Sequence, residues 1–260
     1  AALFIILPFL SWYGTTFWRE LDDDEIEKYL ADEQKPRHVQ HALEQIDRRI
    51  VKGDEGVKRW YPQVLRVATH PLPDLRMAAA WEMGDDNKSA EFHAALKQLV
   101  TDDEPAVRRM AALSLVRFND AGGRAELVAM LKPYSVKQRF KGTVVTVLPV
   151  GSAVSREAMV ARVRDEGGAA QEVRAPVAGR IEKVSAADGT SVSAGDELVV
   201  LAPDGKNAWE ALRALYVVGA AEDLPQIERY ARGEVSGMAD EIKKQAALTA
   251  EAIKSRIARQ

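Results

Sequence analysis

The period of the apolar positions changes four times along this chain, and each change marks a new stretch. From Ala1 to Trp18 there is no period and no charge: the run Ala-Ala-Leu-Phe-Ile-Ile-Leu-Pro-Phe-Leu leads into Trp12, Tyr13, Phe17 and Trp18. The chain then turns acidic at Glu20-Leu21-Asp22-Asp23-Asp24-Glu25. From Pro36 onward the spacing is helical, with Val39, Ala42, Leu43, Ile46 and Ile50 on one face. Between about 139 and 203 it becomes short β-branched runs punctuated by glycine, which predicts small strands. Helical spacing returns at Trp209, Leu212, Leu215, Tyr216 and Val218.

The helical stretches are built from pieces. Asp22 to Asp24 can cap a short helix carrying Ile26, Tyr29 and Leu30. Pro36 and Pro62 each sit where a helix can start, since proline is preorganised for the first turn. The next two pieces repeat: Pro73, Leu75, Arg76, Ala80 and Met83 superpose on Pro105, Val107, Arg108, Ala112 and Leu115 at a constant offset of 32. Each is followed by a turn and a second helix, one carrying Phe92, Leu96, Leu99 and Val100, the other Leu127, Met130 and Leu131. Further on, Pro225 falls in the first turn of a helix with Ile227 and Tyr230, and a last helix starts near Ser236 or Asp240. There Ile242, Lys243 and Ala247 align with Leu75, Arg76 and Ala80. Helix pairs with this period and the Pro-x-Leu/Val-Arg…Ala pattern resemble HEAT repeats. Such pairs bury their apolar faces only by stacking on neighbours. Ala80 and Ala112 are expected at helix–helix contacts, and Arg76 and Arg108 as structural bonds between repeats.

The β stretch holds an internal repeat of its own. Gly142 aligns with Gly179, Val147 with Val184, and, after one gapped position, Gly151 with Gly189, Val154 with Val192 and Val163 with Leu201. Two related β halves without a helix between them predict a small two-layer β fold with pseudo-twofold symmetry. The phrases Ala175-Pro176-Val177-Ala178-Gly179 and Val192-Ser193-Ala194-Gly195-Asp196-Glu197-Leu198 resemble a biotinyl/lipoyl-attachment domain, a flattened β-barrel also found in periplasmic adaptor proteins. In carrier members a lysine at a hairpin tip holds the cofactor. Here the tip falls at Gly167-Gly168, and glycine offers no amine. The resemblance therefore implies the fold without the cofactor. The same tip is too short for the coiled-coil hairpin of many adaptors.

Together these readings give a mainly α chain: a HEAT-like α-solenoid with an inserted small β-barrel/sandwich lipoyl-like domain and an N-terminal transmembrane helix. The expected boundaries are 1–18 for the anchor, 19–35 for an acidic linker with a short helix, and 36–133 for helical repeats. The β domain takes 134–204, and the repeats resume over 205–260. A membrane span needs about 20 apolar residues. Since the chain does not begin with methionine, part of the span and any cytoplasmic lead are expected ahead of Ala1. The aromatic cluster before Arg19 suits a membrane interface. The bulk is expected on the extracytoplasmic, periplasmic side of a bacterial inner membrane.

Composition narrows the chemistry. Net charge is −3, without a basic stripe for nucleic acid, and there are no cysteines for disulfides, thiolate catalysis or thiolate metal sites. His38 and His41 share a helix side near Glu44, but a polar stripe of exposed histidines accounts for them. His70 and His93 show no partner in the sequence. Asp22 to Glu25 lacks the spacing and glycine of a calcium loop. None of the Gly-x-Ser-x-Gly, His-Glu-x-x-His or phosphate-loop patterns occurs. No enzyme activity, cofactor, metal or small-molecule substrate is expected. The expectation is a non-catalytic membrane-anchored scaffold or accessory subunit, docked on a larger electron-transfer or energy-transducing complex. Its contacts would be complex subunits and, through the first helix, the lipid bilayer. The alternative is a periplasmic adaptor of a transport or efflux system. Candidate interaction residues are Trp12, Tyr13, Phe17 and Trp18 at the membrane, and Asp165, Glu166 and Gln171 at the hairpin tip.

Overall fold

A computed structural model describes residues 19–32 and 34–259. The expected membrane span, with Trp12, Tyr13, Phe17 and Trp18, lies outside the described residues. Among those described, no helix is long and apolar enough to cross a membrane.

Among the described residues ten α-helices run in two layers. α1 (Asp23–Ala31) starts in a capping box: the Asp22 carboxylate accepts from the Glu25 N–H at 2.8 Å, and the Glu25 carboxylate from the Asp22 N–H. α2 (Pro36–Val51), α4 (Pro73–Met83), α6 (Pro105–Arg117), α8 (Gly205–Val218) and α10 (Asp240–Ile257) each pack on the next. α3 (Tyr61–Val67), α5 (Ala90–Leu99), α7 (Arg124–Ala129) and α9 (Leu224–Ala231) form the other layer. Proline occupies the first turn of α2, α3, α4, α6 and α9, where its missing N–H costs nothing.

The offset of 32 is a structural repeat. Arg76 donates to the carbonyls of His70 and Pro71 at 2.9 and 3.0 Å; Arg108 donates to those of Asp102 and Asp103 at 2.7 and 3.0 Å. Arg76 also grips Asp102 with two bonds of 2.7 and 2.8 Å, and Asp102 accepts from the Glu104 N–H at the start of α6. Each arginine thus ties the loop before its own helix, and Arg76 reaches the next repeat. Ala80 and Ala112 are fully buried. At α10 the pattern gives way: Ala247 is exposed, and Ala246 is the buried alanine. No described helix packs on the far side of α10, so the face that Ala80 buries against a neighbour is open there.

The histidines have partners that the sequence did not show. His38 stacks on Tyr29 at 4.2 Å and bonds Asp32, and His41 meets Tyr29 edge-on, so neither belongs to an exposed polar stripe. His93 bonds Asp120 at 2.6 Å and stacks on Phe118, while His70 accepts from the Leu72 N–H. No cluster of three or more metal-ligating side chains occurs among the described residues.

The apolar interior of the helices continues across the β stretch. One cluster combines Ala112, Leu127, Met130 and Leu131 with Ala208, Leu212, Leu215, Ile227, Tyr230 and Ile253. Tyr230 and Gln226 both donate to the Leu131 carbonyl, at 3.0 and 2.6 Å.

The β unit starts at Tyr134. Its strands are β1 (Tyr134–Lys137), β2 (Gly142–Val147), β3 (Ala153–Val154), β4 (Met159–Asp165), β5 (Ala170–Arg174), β6 (Gly179–Val184), β7 (Ser191–Val192) and β8 (Glu197–Pro203). They form two antiparallel sheets, ordered β1-β8-β6-β3 and β5-β4-β2-β7. Exchanging β1 with β5, β2 with β6, β3 with β7 and β4 with β8 turns one order into the other. The bulge between Val144 and Thr146 recurs between Ile181 and Lys183. A Cβ on Gly142 would lie 2.3 Å from the Arg164 carbonyl oxygen, and one on Gly179 2.6 Å from that of Ala202. Neighbouring strands exclude a side chain at both positions. The strands close over two apolar clusters, one around Val160, Ile181 and Leu201, the other around Val144, Val163 and Leu198.

A candidate docking cleft between helix starts and sheet edges

The β unit leaves the helices after Lys132 and rejoins them at Asp204. It lies against the starts of α4 and α6. Arg156, in the turn between β3 and β4, forms an ion pair with Asp74 in the first turn of α4 at 2.6 Å. At the other seam the Arg109 guanidinium of α6 lies 5.9 Å from the ring of Tyr134 in β1, a cation–π contact. Burial lowers the Arg109 pKa, opposed by Glu126, which also receives Arg108.

Between these seams opens a cleft of about 880 Å³, lined by Pro36 and Gln40 of α2, the starts of α4 and α6, β1 with its extension to Phe140, Arg156-Glu157, and β5. Two of its walls are sheet edges. Among the described residues β1 pairs only with β8 and β5 only with β4. A side-chain cluster ties β1 to β8: Glu197 accepts from Ser185, Ser135 and Lys183 at 2.6, 2.8 and 3.1 Å, and these bonds push its carboxyl down to about 2. Arg174 of β5 bonds Glu172 at 2.5 Å and the Glu157 carbonyl at 2.7 Å.

Gln138 lies in the wall just beyond β1. Only 2% of it is exposed, and neither its amide oxygen nor its amide nitrogen has a partner among the described residues. Its neighbours Lys137 and Arg139 are exposed and have no ion pair among the described residues. The sequence held a signal for this. Tyr134, Val136, Gln138 and Phe140 alternate with polar residues, which places the glutamine on the inward face.

A family profile described as HEAT repeats matches residues 61–139. The helical part is HEAT-like. The matched span covers α3 to α7, runs through β1, and so reaches the cleft wall at Gln138. No curated protein matches the chain. Among solved structures, a single-chain, multi-domain long-chain acyl-CoA carboxylase is 21% identical over 39% of this chain, with a TM-score of 0.27. The match spans 11% of that chain.

Of the candidate residues named from sequence, the structure brings Gln171 to the cleft. Asp165 instead organises the β4–β5 tip: it accepts from the Gln171 side chain at 2.7 Å and from the Ala169 N–H at 2.9 Å, which together hold its carboxyl below the usual range. Gly168 takes φ +87° in that turn. Glu166 pairs with Lys141 at 2.7 Å across the tip. Trp12, Tyr13, Phe17 and Trp18 lie outside the described residues.

Proposed function

We propose that this chain is a non-catalytic scaffold or accessory subunit that docks on a larger membrane protein complex of the electron-transfer or energy-transducing kind and stabilises it. Residues 1–18 would anchor it in a bacterial inner membrane, with the described bulk on the extracytoplasmic side. HEAT repeats generally mediate protein–protein contact through extended surfaces. The observation that carries the reading is the continuous helical core on both sides of the β unit. It holds that unit on one flank of the array, as insertions that meet partners are held.

We further propose that the β unit is a lipoyl-like domain put to a structural use. Its two four-stranded sheets with matching bulges support that fold. Its tip carries Gly167 and Gly168 where a swinging arm would need a primary amine, and the lysine that reaches the tip, Lys141, is ion-paired to Glu166.

The test is extraction of the tagged protein from native membranes in mild detergent, with mass spectrometry of what co-purifies and of the intact chain. Stoichiometric recovery of the subunits of one respiratory or photosynthetic complex, with an unmodified polypeptide mass, is expected. A protein that runs alone overturns the docking reading. Recovery with an inner-membrane transporter and an outer-membrane channel replaces it with a transport adaptor. A mass increment on the β unit restores a carrier role.

A further inference from the structure

We infer that two copies of this chain pair through the free face of α10, antiparallel, about a twofold axis between Ala247 and Leu248. The inference concerns self-association and goes beyond the docking reading above.

The first argument is the open end of the array. α10 is buried along two sides. Ile242, Ala246, Ala250 and Ile253 point into the apolar interior shared with α8 and α9, and the Thr249 hydroxyl donates to the Leu212 carbonyl at 2.9 Å. Among the described residues nothing covers the side opposite α8. There Lys244, Ala247, Leu248, Glu251 and Ser255 are all exposed, at spacings that place them on one stripe of the helix. Leu248, in the middle of that stripe, is 54% exposed.

The second argument is the order of the charges. Along α10 this face reads Glu241, Lys244, Glu251, Lys254: negative, positive, negative, positive. Each charge has its opposite at the same distance on the other side of the Ala247–Leu248 bond. An antiparallel copy centred there sets Lys244 against Glu251, Glu251 against Lys244, and Glu241 against Lys254. The other charges of the helix, Asp240, Lys243, Arg256 and Arg259, then lie opposite Ser255, Ala252, Ala239 and Ser236, so no like charges meet. A parallel copy would oppose like to like throughout. Asp240 is held by Lys243 on its own helix and Lys254 by Glu228 of α9, whereas Glu241, Lys244 and Glu251 have no ion pair among the described residues. A further helix pair stacked on this end would bury Lys244 and Glu251 without opposites. A second copy supplies both.

The experiment uses the full chain in mild detergent. One helix pair buries less than the ~1,200 Å² of a standard interface, so the dimer is weak and samples are held at about 100 μM. The chain has no cysteine, so each introduced thiol reports alone. Under mild oxidation Leu248→Cys should give a disulfide-linked dimer. Lys244→Cys and Glu251→Cys should each stay monomeric, because seven residues of helix put each thiol about 10 Å from its own copy. A mixture of the two should cross-link, since it brings unlike positions together and keeps one ion pair. In sedimentation equilibrium Lys244→Glu should weaken the dimer about tenfold or more, and Lys244→Glu/Glu251→Lys should restore it. A monomer at that concentration overturns the inference. So does cross-linking of Lys244→Cys alone as readily as the mixture, or a charge swap that fails to restore association. If the α10 amides gain protection from hydrogen exchange only when a subunit of another kind is bound, the face belongs to that subunit and the inference falls. The docking reading is decided separately, by what co-purifies.

Discussion

Glu82 is a carboxyl with no room for a charge. It is 4% exposed, one of its oxygens has no partner among the described residues, and burial, then the charges of Asp47 and Glu44, push its pKa up to about 9. Because the folded pKa is raised, its contribution to stability is intact below the unfolded value near 4.5. It is lost progressively as pH rises towards 9. Glu82→Gln, which keeps the neutral shape, should therefore change little at pH 4 and stabilise by up to ~3 kcal/mol at pH 7. Urea unfolding at both pH values checks this, and equal shifts at the two would mean that Glu82 is ionised in the fold. Gly179 makes the complementary case, with backbone instead of charge. Its Cβ would meet the Ala202 carbonyl oxygen at 2.6 Å. Gly179→Val should abolish the native β-sheet signal in circular dichroism while the helical signal persists. At this scale legibility followed backbone constraint. Gly179 and Ala112 stood out in the sequence because only small residues fit where chains touch. Glu82 and Gln138 did not, because a buried polar side chain is written with the same letter as an exposed one.

At the scale of elements, the bonding arginines decide how one helix pair registers on the next. Arg76 holds two carbonyls of the loop before α4 and, through Asp102, the start of α6. Removing it strands Asp102 in a half-buried position and frees two loops at once. Arg76→Ala should cost about 2–3 kcal/mol in chemical denaturation. Arg76→Lys should recover little, since an ammonium cannot reproduce the two-pronged grip. Full recovery by lysine would reduce the contact to simple charge. The helix pairs were readable because prolines mark their starts and the offset of 32 repeats the whole pattern. The partners of His70 and His93 were not, because His93 meets Asp120 across 27 residues, and His70 caps a turn through its ring nitrogen. The α10 register slipped for a physical reason too. Ala247 aligns with Ala80 but has no neighbour to be small for.

At the scale of the molecule, the β unit is attached at two points that lie close together. Lys132 and Asp204 line one small cavity with Met130 and Asn207. Replacing residues 134–203 by a short glycine–serine linker should therefore leave a helical array that still unfolds cooperatively. Its melting temperature should fall by a few degrees from loss of the Arg156–Asp74 and Arg109–Tyr134 contacts. Two separate melting transitions would show instead that the β unit holds the halves together. The sequence made the order of the parts legible, since the apolar period switches at each junction. It could not show that the strands fold back onto the starts of α4 and α6 and enclose a cleft. That depends on long-range pairs such as Arg156 with Asp74, 82 residues apart.

The hydrogen bond from Tyr230 to the Leu131 carbonyl also sets a timetable. The two residues are 99 apart in the chain, but a β unit that has already folded leaves only about 30 flexible residues between them. If the β unit is still a coil, the two halves of the helical core must find each other through the whole length. The extra closure entropy is ~1 kcal/mol, or about fivefold in rate. A lesion confined to the strands would then surface first as late docking of α8 to α10, helices that hold none of the altered residues. During synthesis the strands emerge ahead of those helices, an order that matches the faster route.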